Sequence, residues 1–305
     1  DPEVKYLSNK NGFLGIDNKF NFKEKVIVVP FGLEKTVSYG GGTRNGPKEI
    51  IKASHQVELY DEELNCEPFK KIGIKTLKPF KIEKNVKKAL SVISKINQSI
   101  LEKKLFPMTL GGEHSITNPC IDAFKDDCEK NGPIHVLQID AHLDFVDERH
   151  GVTQGHGNPM RRAIEKPFES GMTQLGIRNV SSTAKEGYED ACARGSDILS
   201  VRQVRQLGTE AVLGRIPEGQ RYYVTIDIDA FCPSIAPGTG TPSHGGFLYY
   251  DVLEIFNIKT QNVFCKKFYR VMVFVSKNIK YLSTKKRIII IRQRRLIFIN
   301  CTCAY

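Results

Sequence analysis

Three short polar runs of this sequence each come at the end of an apolar segment. They read DAHLD at 140–144, DID at 227–229 and GGEH at 111–114, and the segments before them are typical of buried β-strands. In an open α/β sheet, ligands bind beyond the carboxyl ends of the strands. The three runs therefore predict that one polar site lies at that edge of a sheet.

Four aspartates and two histidines in the three runs could bind metal ions. These candidates are His114, Asp140, His142, Asp144, Asp227 and Asp229. On an extended segment, residues 140, 142 and 144 would leave the same face, and burying such a group is costly unless a cation neutralises it. Six ligands are more than one zinc ion normally takes. They suit two Mn²⁺-like ions bridged by a water that becomes a hydroxide nucleophile at neutral pH.

Strand-like and helix-like segments alternate along the chain. Apolar runs predict strands at 26–31, 106–110, 134–139, 173–177 and 222–228. Helical spacing of apolar residues predicts a helix within 84–104, and Ser115 is placed to cap the helix after the GGEH run. This alternation is typical of a mostly parallel sheet with helices on both faces, so we expect one α/β domain.

The net charge of +11 is concentrated in the C-terminal tail. From Lys259 onward the sequence has 12 Lys or Arg and no Asp or Glu, which leaves 33 basic against 34 acidic residues in the rest. The body of the protein is thus close to neutral, and we expect no nucleic-acid binding by the main domain. No apolar run is long enough to span a membrane, so we expect no membrane partner either.

The cysteines indicate a reducing compartment. Eight are present, without a CxxC pair or the spacing of a disulfide framework. No signal peptide opens the chain. We therefore expect a cytoplasmic protein, with an organelle-targeting segment ahead of Asp1 as the alternative.

Six motifs, in order along the chain, resemble those of the ureohydrolases, the family of arginases and agmatinases, and look most like the agmatinase branch. They are SYGGGTRNGP (38–47), GGEHS (111–115), DAHLD (140–144), GHGNP (155–159), DID (227–229) and APGTGTP (236–242). The resemblance implies an arginase-like, three-layer α/β/α domain with an eight-stranded, mostly parallel sheet. It also implies a hydrolase with two Mn²⁺ ions that releases urea from a small guanidino compound, with agmatine as the first candidate.

The same resemblance implies roles for single residues. One manganese would be held by His114, Asp140, Asp144 and Asp227, and the other by Asp140, His142, Asp227 and Asp229. His156 matches the position of the family's proton-shuttling histidine, a task that suits the ordinary pKa of an imidazole. Asn158 is a candidate for substrate binding. Relatives form trimers or hexamers, so we expect a homo-oligomer.

Two departures from the family pattern stand near the C-terminus. Cys232 precedes Pro233 where the family has a third aspartate, and no acidic residue follows Glu254, although the family places a guanidinium-binding glutamate on a late strand. We therefore interpret residues 1–257 as the ureohydrolase domain and 258–305 as a basic tail unlike the family, from intron read-through, a frameshift or a fusion. Such a chain would lose its final strand and expose a sheet edge.

These departures leave two alternatives beside an active agmatinase-like enzyme. One is a catalytically impaired relative that acts as a binding or regulatory subunit. The other is a related hydrolase of a guanidino acid or a formimino group, which in the formimino case would release formamide in place of urea.

Overall fold

The protein is described by a computed structural model. It covers residues 4–20, 23–61, 65–180, 183–262 and five short strands of the tail, at 272–275, 286–288, 291–292, 295–296 and 299–301. Within this part of the chain, no helix is both long enough and apolar enough to cross a membrane.

An eight-stranded sheet forms the centre of the molecule, and every neighbouring pair of its strands is parallel. The strands are β1 (Val26–Phe31), β2 (Ile74–Thr76), β3 (Phe106–Gly111), β4 (Ile134–Ile139), β5 (Glu169–Leu175), β6 (Ser196–Leu199), β7 (Arg221–Asp227) and β8 (Met272–Val275). Their order across the sheet is β2-β1-β3-β8-β7-β4-β5-β6. Four further short strands, β9 (Lys286–Ile288), β10 (Ile291–Arg292), β11 (Arg295–Leu296) and β12 (Ile299–Cys301), form two antiparallel pairs.

Helices cover both faces of this sheet. They are α1 (Gly46–Ser54), α2 (Phe69–Ile72), α3 (Val86–Glu102), α4 (Thr117–Asp122), α5 (Lys125–Asn131), α6 (Pro159–Ala163), α7 (Ala184–Ala193), α8 (Val201–Leu207), α9 (Thr209–Arg215) and α10 (Tyr249–Asn262). Apolar residues of α1, α2, α8, α9 and α10 belong to one core, and those of α3 to α7 belong to the other. The predicted three-layer α/β/α architecture is confirmed.

Strand β1 shows how the sequence builds two cores at once. All six of its residues are buried. Val26 and Val28 face one core, whereas Ile27 and Val29 face the other, because successive side chains of a strand point to opposite sides. A continuous apolar run is therefore needed where helices cover both faces.

Three local expectations differ from the structure in detail. Ser115 does not cap a helix: it lies inside a short 3₁₀ turn, and its hydroxyl donates a hydrogen bond to Glu113. The strand expected at 173–177 is shifted to Glu169–Leu175. The strand expected at 222–228 ends at Asp227, because residues 228–230 turn into a 3₁₀ helix.

The tail contributes a central strand to the sheet. Strand β8 lies between β3 and β7, with Val275 beside both Gly111 and Asp227. The expectation that the sheet loses its final strand is therefore wrong for residues 272–275. The domain boundary at residues 257 and 258 and the foreign origin of the tail remain predictions.

Candidate metal centre

The carboxyl ends of β3, β4 and β7 bring the predicted ligands together. Nδ1 of His114, just after β3, lies 2.7 Å from Oδ2 of Asp144, 3.2 Å from Oδ2 of Asp140 and 3.7 Å from Oδ2 of Asp227. These three carboxylates come from the β4 and β7 ends of the sheet and surround one nitrogen atom. His114 and Asp140 are fully buried, so the first group is closed to bulk solvent.

A second group adjoins the first and shares Asp140 with it. Nδ1 of His142 lies 3.1 Å from Oδ2 of Asp229 and 3.6 Å from Oδ1 of Asp140. Ligand atoms of His114, Asp140 and Asp227 lie close enough together to hold one ion, and so do those of Asp140, His142 and Asp229. Each group contains three of the four ligands predicted for one ion, and Asp140 belongs to both groups. Asp227 belongs to the first group, and its part in the second remains a prediction.

The same local turn shapes both acidic strand ends. Oδ1 of Asp140 accepts a hydrogen bond from the backbone N–H of His142 (2.7 Å), and Oδ1 of Asp227 accepts one from the N–H of Asp229 (3.0 Å). Aspartate favours such a bond to the backbone two residues on, which turns the chain. In each case the second carboxylate oxygen lies on the side of His114.

Asp144 reaches the site through an unusual backbone conformation. Its φ angle is 50°, in the left-handed region that residues other than glycine seldom adopt. The 140–144 run is therefore not one extended segment with its side chains on a single face, as the sequence analysis expected. It turns between Asp140 and His142 and then takes a left-handed conformation at Asp144, and local strain of this kind is common at functional sites.

The charges of the site fit divalent cations. Burial opposes ionised groups, yet the carboxylates of Asp140 and Asp144 raise the pKa of His114 to about 10, and those of Asp140 and Asp229 raise that of His142 to about 11. The two imidazoles in turn hold the pKa of Asp140 well below its usual range, despite burial. Within the described residues, Nδ1 of His114 is buried and lacks a partner with the geometry of a hydrogen bond, although carboxylate oxygens lie close to it. A buried nitrogen surrounded by carboxylate oxygens suits a shared cation.

Comparison with known proteins places the chain in a family. The family model described as "Arginase family" matches residues 24–265. The chain belongs to the arginase family. It is 35% identical over 231 residues to the agmatinase of Bacillus subtilis, covering 74% of this chain and 75% of that protein. It is 30% identical over 270 residues to the N(1)-aminopropylagmatine ureohydrolase of Synechocystis sp., covering 83% and 82%.

A solved structure shows that the fold is shared as well. Proclavaminate amidino hydrolase from Streptomyces clavuligerus superposes with a TM-score of 0.77 over 88% of each chain, at 23% sequence identity. The predictions of an arginase-like fold and of membership in the ureohydrolase family are confirmed.

His156 of this arginase-family chain lies between two hydroxyl groups. Its Nε2 is 2.7 Å from Oγ of Ser38, and its Nδ1 is 3.2 Å from Oγ1 of Thr36. The Thr36 hydroxyl donates to Oε1 of Glu113 (2.8 Å), so Nδ1 of the histidine must be the donor toward Thr36. This network assigns the proton of a neutral imidazole to Nδ1 and leaves Nε2 to accept and release a proton.

Glu113 binds the Thr36 hydroxyl that contacts this histidine, and it directly precedes the candidate ligand His114 in the chain. Its carboxylate is fully buried and also accepts hydrogen bonds from the Lys35 and Thr36 backbone N–H groups. The preceding residue, Gly112, allows that close approach, since a Cβ atom there would lie 2.0 Å from the Leu33 carbonyl oxygen. Glu113 was not among the sequence candidates, although its place directly before His114 was a usable signal.

Asn158 is placed inside a loop rather than toward an open cleft. Its Nδ2 donates to the carbonyl oxygens of Val146 (2.6 Å) and Asp147 (3.3 Å), and its Oδ1 accepts from the N–H of Gly155 (2.8 Å). The side chain is buried. These bonds hold the loop that carries His156, and a contact of Asn158 with substrate remains a prediction.

Several polar residues that the sequence analysis missed orient the ligands. Nε2 of Gln138 donates to Oδ2 of Asp140 (2.8 Å), Oγ1 of Thr225 lies 3.0 Å from Nε2 of His114, and Oγ1 of Thr241 donates to Oδ2 of Asp229 (3.2 Å). Partners of this kind orient metal-binding side chains. Their signal in the sequence was weak, because Gln138 and Thr225 each lie between two apolar residues inside a strand.

Cys232 occupies a place where hydrogen-bond donors converge. Hydrogen bonds from the side chain and backbone of Ser234, and from the backbone N–H groups of Gly245 and Gly246, lower the pKa of its thiol. The surroundings thus favour an anion at this position. That agrees with the aspartate that the resemblance places there.

Proposed function

We propose that this chain hydrolyses a small guanidino compound, agmatine first among the candidates, to urea and an amine with the help of two Mn²⁺ ions. The observation that carries the proposal is the pair of ligand groups that share Asp140 at the carboxyl ends of β3, β4 and β7. Two agmatine-related hydrolases among its relatives support the choice of substrate, the agmatinase of Bacillus subtilis and the N(1)-aminopropylagmatine ureohydrolase of Synechocystis sp..

The donor set suits manganese. Carboxylate oxygens and imidazole nitrogens are ligands that Mn²⁺ accepts, and the buried group offers no thiolate that would select a softer metal. His114, Asp140, Asp144 and Asp227 would hold one ion, and Asp140, His142 and Asp229, with Asp227 as a second shared ligand, would hold the other. A manganese pair supplies Lewis acidity and a nucleophile from water at neutral pH.

His156 would protonate the leaving amine. A guanidinium carbon is a poor electrophile, and the departing amine must take up a proton as the C–N bond breaks. Nε2 of His156 can carry that proton, because Nδ1 is held by Thr36 and the Ser38 hydroxyl lies 2.7 Å away. Thr36 and Glu113 position the ring.

Urea release by the purified, Mn²⁺-loaded chain tests the proposal. The panel contains agmatine, arginine, 4-guanidinobutyrate and a formimino amino acid, with urea and formamide measured separately. Urea from agmatine is expected, and Asp140→Asn, which removes the shared ligand, should abolish it. Asp126→Asn, an exposed aspartate on α5, is the matched control. Formamide without urea would replace the proposal by formimino hydrolysis.

A catalytically impaired relative is the second candidate. The sequence observation that favours it is the absence of any acidic residue after Glu254, where the family resemblance places a guanidinium-binding glutamate. A folded chain that binds two Mn²⁺ ions and releases neither urea nor formamide from the panel would establish this candidate. We also propose a homo-oligomer, which sedimentation of the purified chain would test.

A further inference from the structure

The guanidinium group of Arg178 donates five hydrogen bonds, all of them to backbone carbonyl oxygens. A guanidinium group has five N–H donors in a fixed plane. Its Nε donates to His244 O (2.9 Å), Nη1 to Gly176 O (3.1 Å) and Ala230 O (3.3 Å), and Nη2 to Asp229 O (2.6 Å) and Ser243 O (2.9 Å). No lysine could replace this arrangement, because an ammonium group has three donors.

Those five carbonyls belong to three separate segments. One is the end of β5, the second is the 3₁₀ turn after β7 that carries Asp229, and the third is the loop at 243–244. The turn and the loop also pair directly, since the Cys232 N–H donates to Phe247 O and the Phe247 N–H donates to Ala230 O, both at 2.9 Å. Gly176 permits this packing, because a Cβ atom there would lie 2.7 Å from the Phe247 ring.

The same residue also contacts the strand end that carries His142. The backbone N–H of Arg178 donates to Ala141 O (2.9 Å), and the Ala141 N–H donates to Oδ1 of Asp229 (3.3 Å). Arg178 therefore restrains the backbone on both sides of the pair formed by His142 and Asp229. In contrast, its carbonyl partners include no residue of the segment that carries His114.

We propose that Arg178 is a positioning residue for the second metal-ion site, formed by Asp140, His142 and Asp229, and that the first site does not depend on it. The inference rests on the proposed function in so far as that function assigns two ions to the centre. The five bonds hold Asp229 at a fixed distance from His142, while the loop they secure keeps Thr241 against Oδ2 of Asp229.

Metal stoichiometry of the full chain tests this inference. Arg178→Lys keeps the positive charge and loses at least two of the five bonds. We expect the wild-type chain to bind two Mn²⁺ ions. The variant should bind one with unchanged affinity and the second about 10- to 100-fold more weakly. Equilibrium dialysis gives the two affinities, and electron paramagnetic resonance distinguishes a spin-coupled manganese pair from single ions.

Arg221→Lys is the matched control. Arg178 is half-buried and Arg221 is buried, but Arg221 likewise ties a loop to the sheet, since it donates to Gly132 O and to Asp127. It stands at the opposite end of β7 from Asp227. This variant should melt at a lower temperature and still bind two ions with wild-type affinities. The comparison separates a general loss of stability from the loss of one ion site.

Two results would overturn the inference. One is equal binding of both ions by Arg178→Lys and the wild-type chain. The other is equal weakening of both sites, or loss of cooperative melting, in Arg178→Lys, because Arg178 would then act on the whole fold. Failure of the proposed function is distinct: a wild-type chain that binds two ions and releases no urea refutes the activity and leaves the role of Arg178 to be decided by stoichiometry.

Discussion

The proposed reaction depends on His156, although this residue is not one of the proposed metal ligands. Its imidazole is oriented by Thr36 and Ser38, and in the proposed reaction its Nε2 would exchange the proton. Replacement by Asn keeps the polarity of the side chain and removes the titratable group. We expect His156→Asn to lower kcat about 10²- to 10⁴-fold.

The control for this prediction lies in the same loop. His150 is exposed and has a φ of 52°, a conformation that asparagine tolerates. His150→Asn should therefore leave kcat unchanged, and both variants should bind two Mn²⁺ ions. Unchanged kcat in His156→Asn would assign the proton transfer to another group.

Glu169 gives the stability of the protein a pH dependence that does not involve the metal centre. It begins β5, at the end of the strand remote from the ligands, and burial raises the pKa of its carboxyl from 4.5 to about 7 despite a hydrogen bond from the Gly171 N–H. The folded chain therefore binds this proton more tightly than the unfolded chain. Between pH 4.5 and 7 the contribution of Glu169 to the free energy of unfolding falls as pH rises.

Glu169→Gln removes that titration. The variant should match the wild-type chain near pH 4.5 and be more stable at pH 8, by about 1–2 kcal/mol after allowance for partial exposure of the carboxyl. Burial lowers the pKa of His135 to about 4, so this group contributes a slope of opposite sign between pH 4 and 6.5 in both proteins. The difference between urea-unfolding curves, measured without metal at each pH, isolates Glu169. A difference independent of pH would contradict the prediction.

At the scale of elements, β8 makes the tail part of the sheet. It pairs with β3 on one side and β7 on the other, and these two strands lead directly to His114 and Asp227. Without β8, β3 and β7 would each have an unpaired edge, and the sheet would be divided between them. We expect a chain truncated after residue 262 to be insoluble or to melt without cooperativity.

A second truncation serves as the control. A chain that ends at residue 285 keeps β8 and lacks β9 to β12, so it should melt cooperatively and bind Mn²⁺. Melting followed by circular dichroism compares the two chains. If the chain that ends at residue 262 melts cooperatively, β8 is dispensable, and the interpretation of the tail as foreign sequence gains support.

The sequence predicted those elements whose pattern is local. Strand β4 and helix α3 follow from continuous apolar residues and from helical spacing, and the acidic runs marked the strand ends where the candidate metal ligands converge. Strand β2, with only three residues, carries too little pattern to be seen. The position of β8 could not be predicted, because its partners are far away in the sequence. The role of Arg178 could not be predicted for the same reason, because its five carbonyl partners come from three separate segments.

The whole molecule should depend on its metal for stability. Four buried carboxylates face only two imidazoles in this centre, and the excess of negative charge disfavours the folded state until cations neutralise it. Ions that bind only the folded chain stabilise it by about 2.7 kcal/mol per site when the free ion is at 100 times its dissociation constant. Two sites then add about 5 kcal/mol, and we expect the melting temperature to rise by on the order of 10 °C.

Replacing the shared candidate ligand, Asp140, tests whether this stabilisation arises from Mn²⁺ bound at the proposed centre. Asp140 takes part in both ligand groups, so Asp140→Asn should abolish the rise, while Asp126→Asn should keep it. Calorimetry with EDTA and with Mn²⁺ measures the shift for each chain. Mg²⁺ at the same concentration should give a smaller rise, because it strongly prefers oxygen ligands and two of the six groups are imidazoles. A rise of equal size in Asp140→Asn would mean that Mn²⁺ stabilises the fold by binding at another site. The clustering of buried carboxylates in the two ligand groups would then need an explanation other than Mn²⁺ binding.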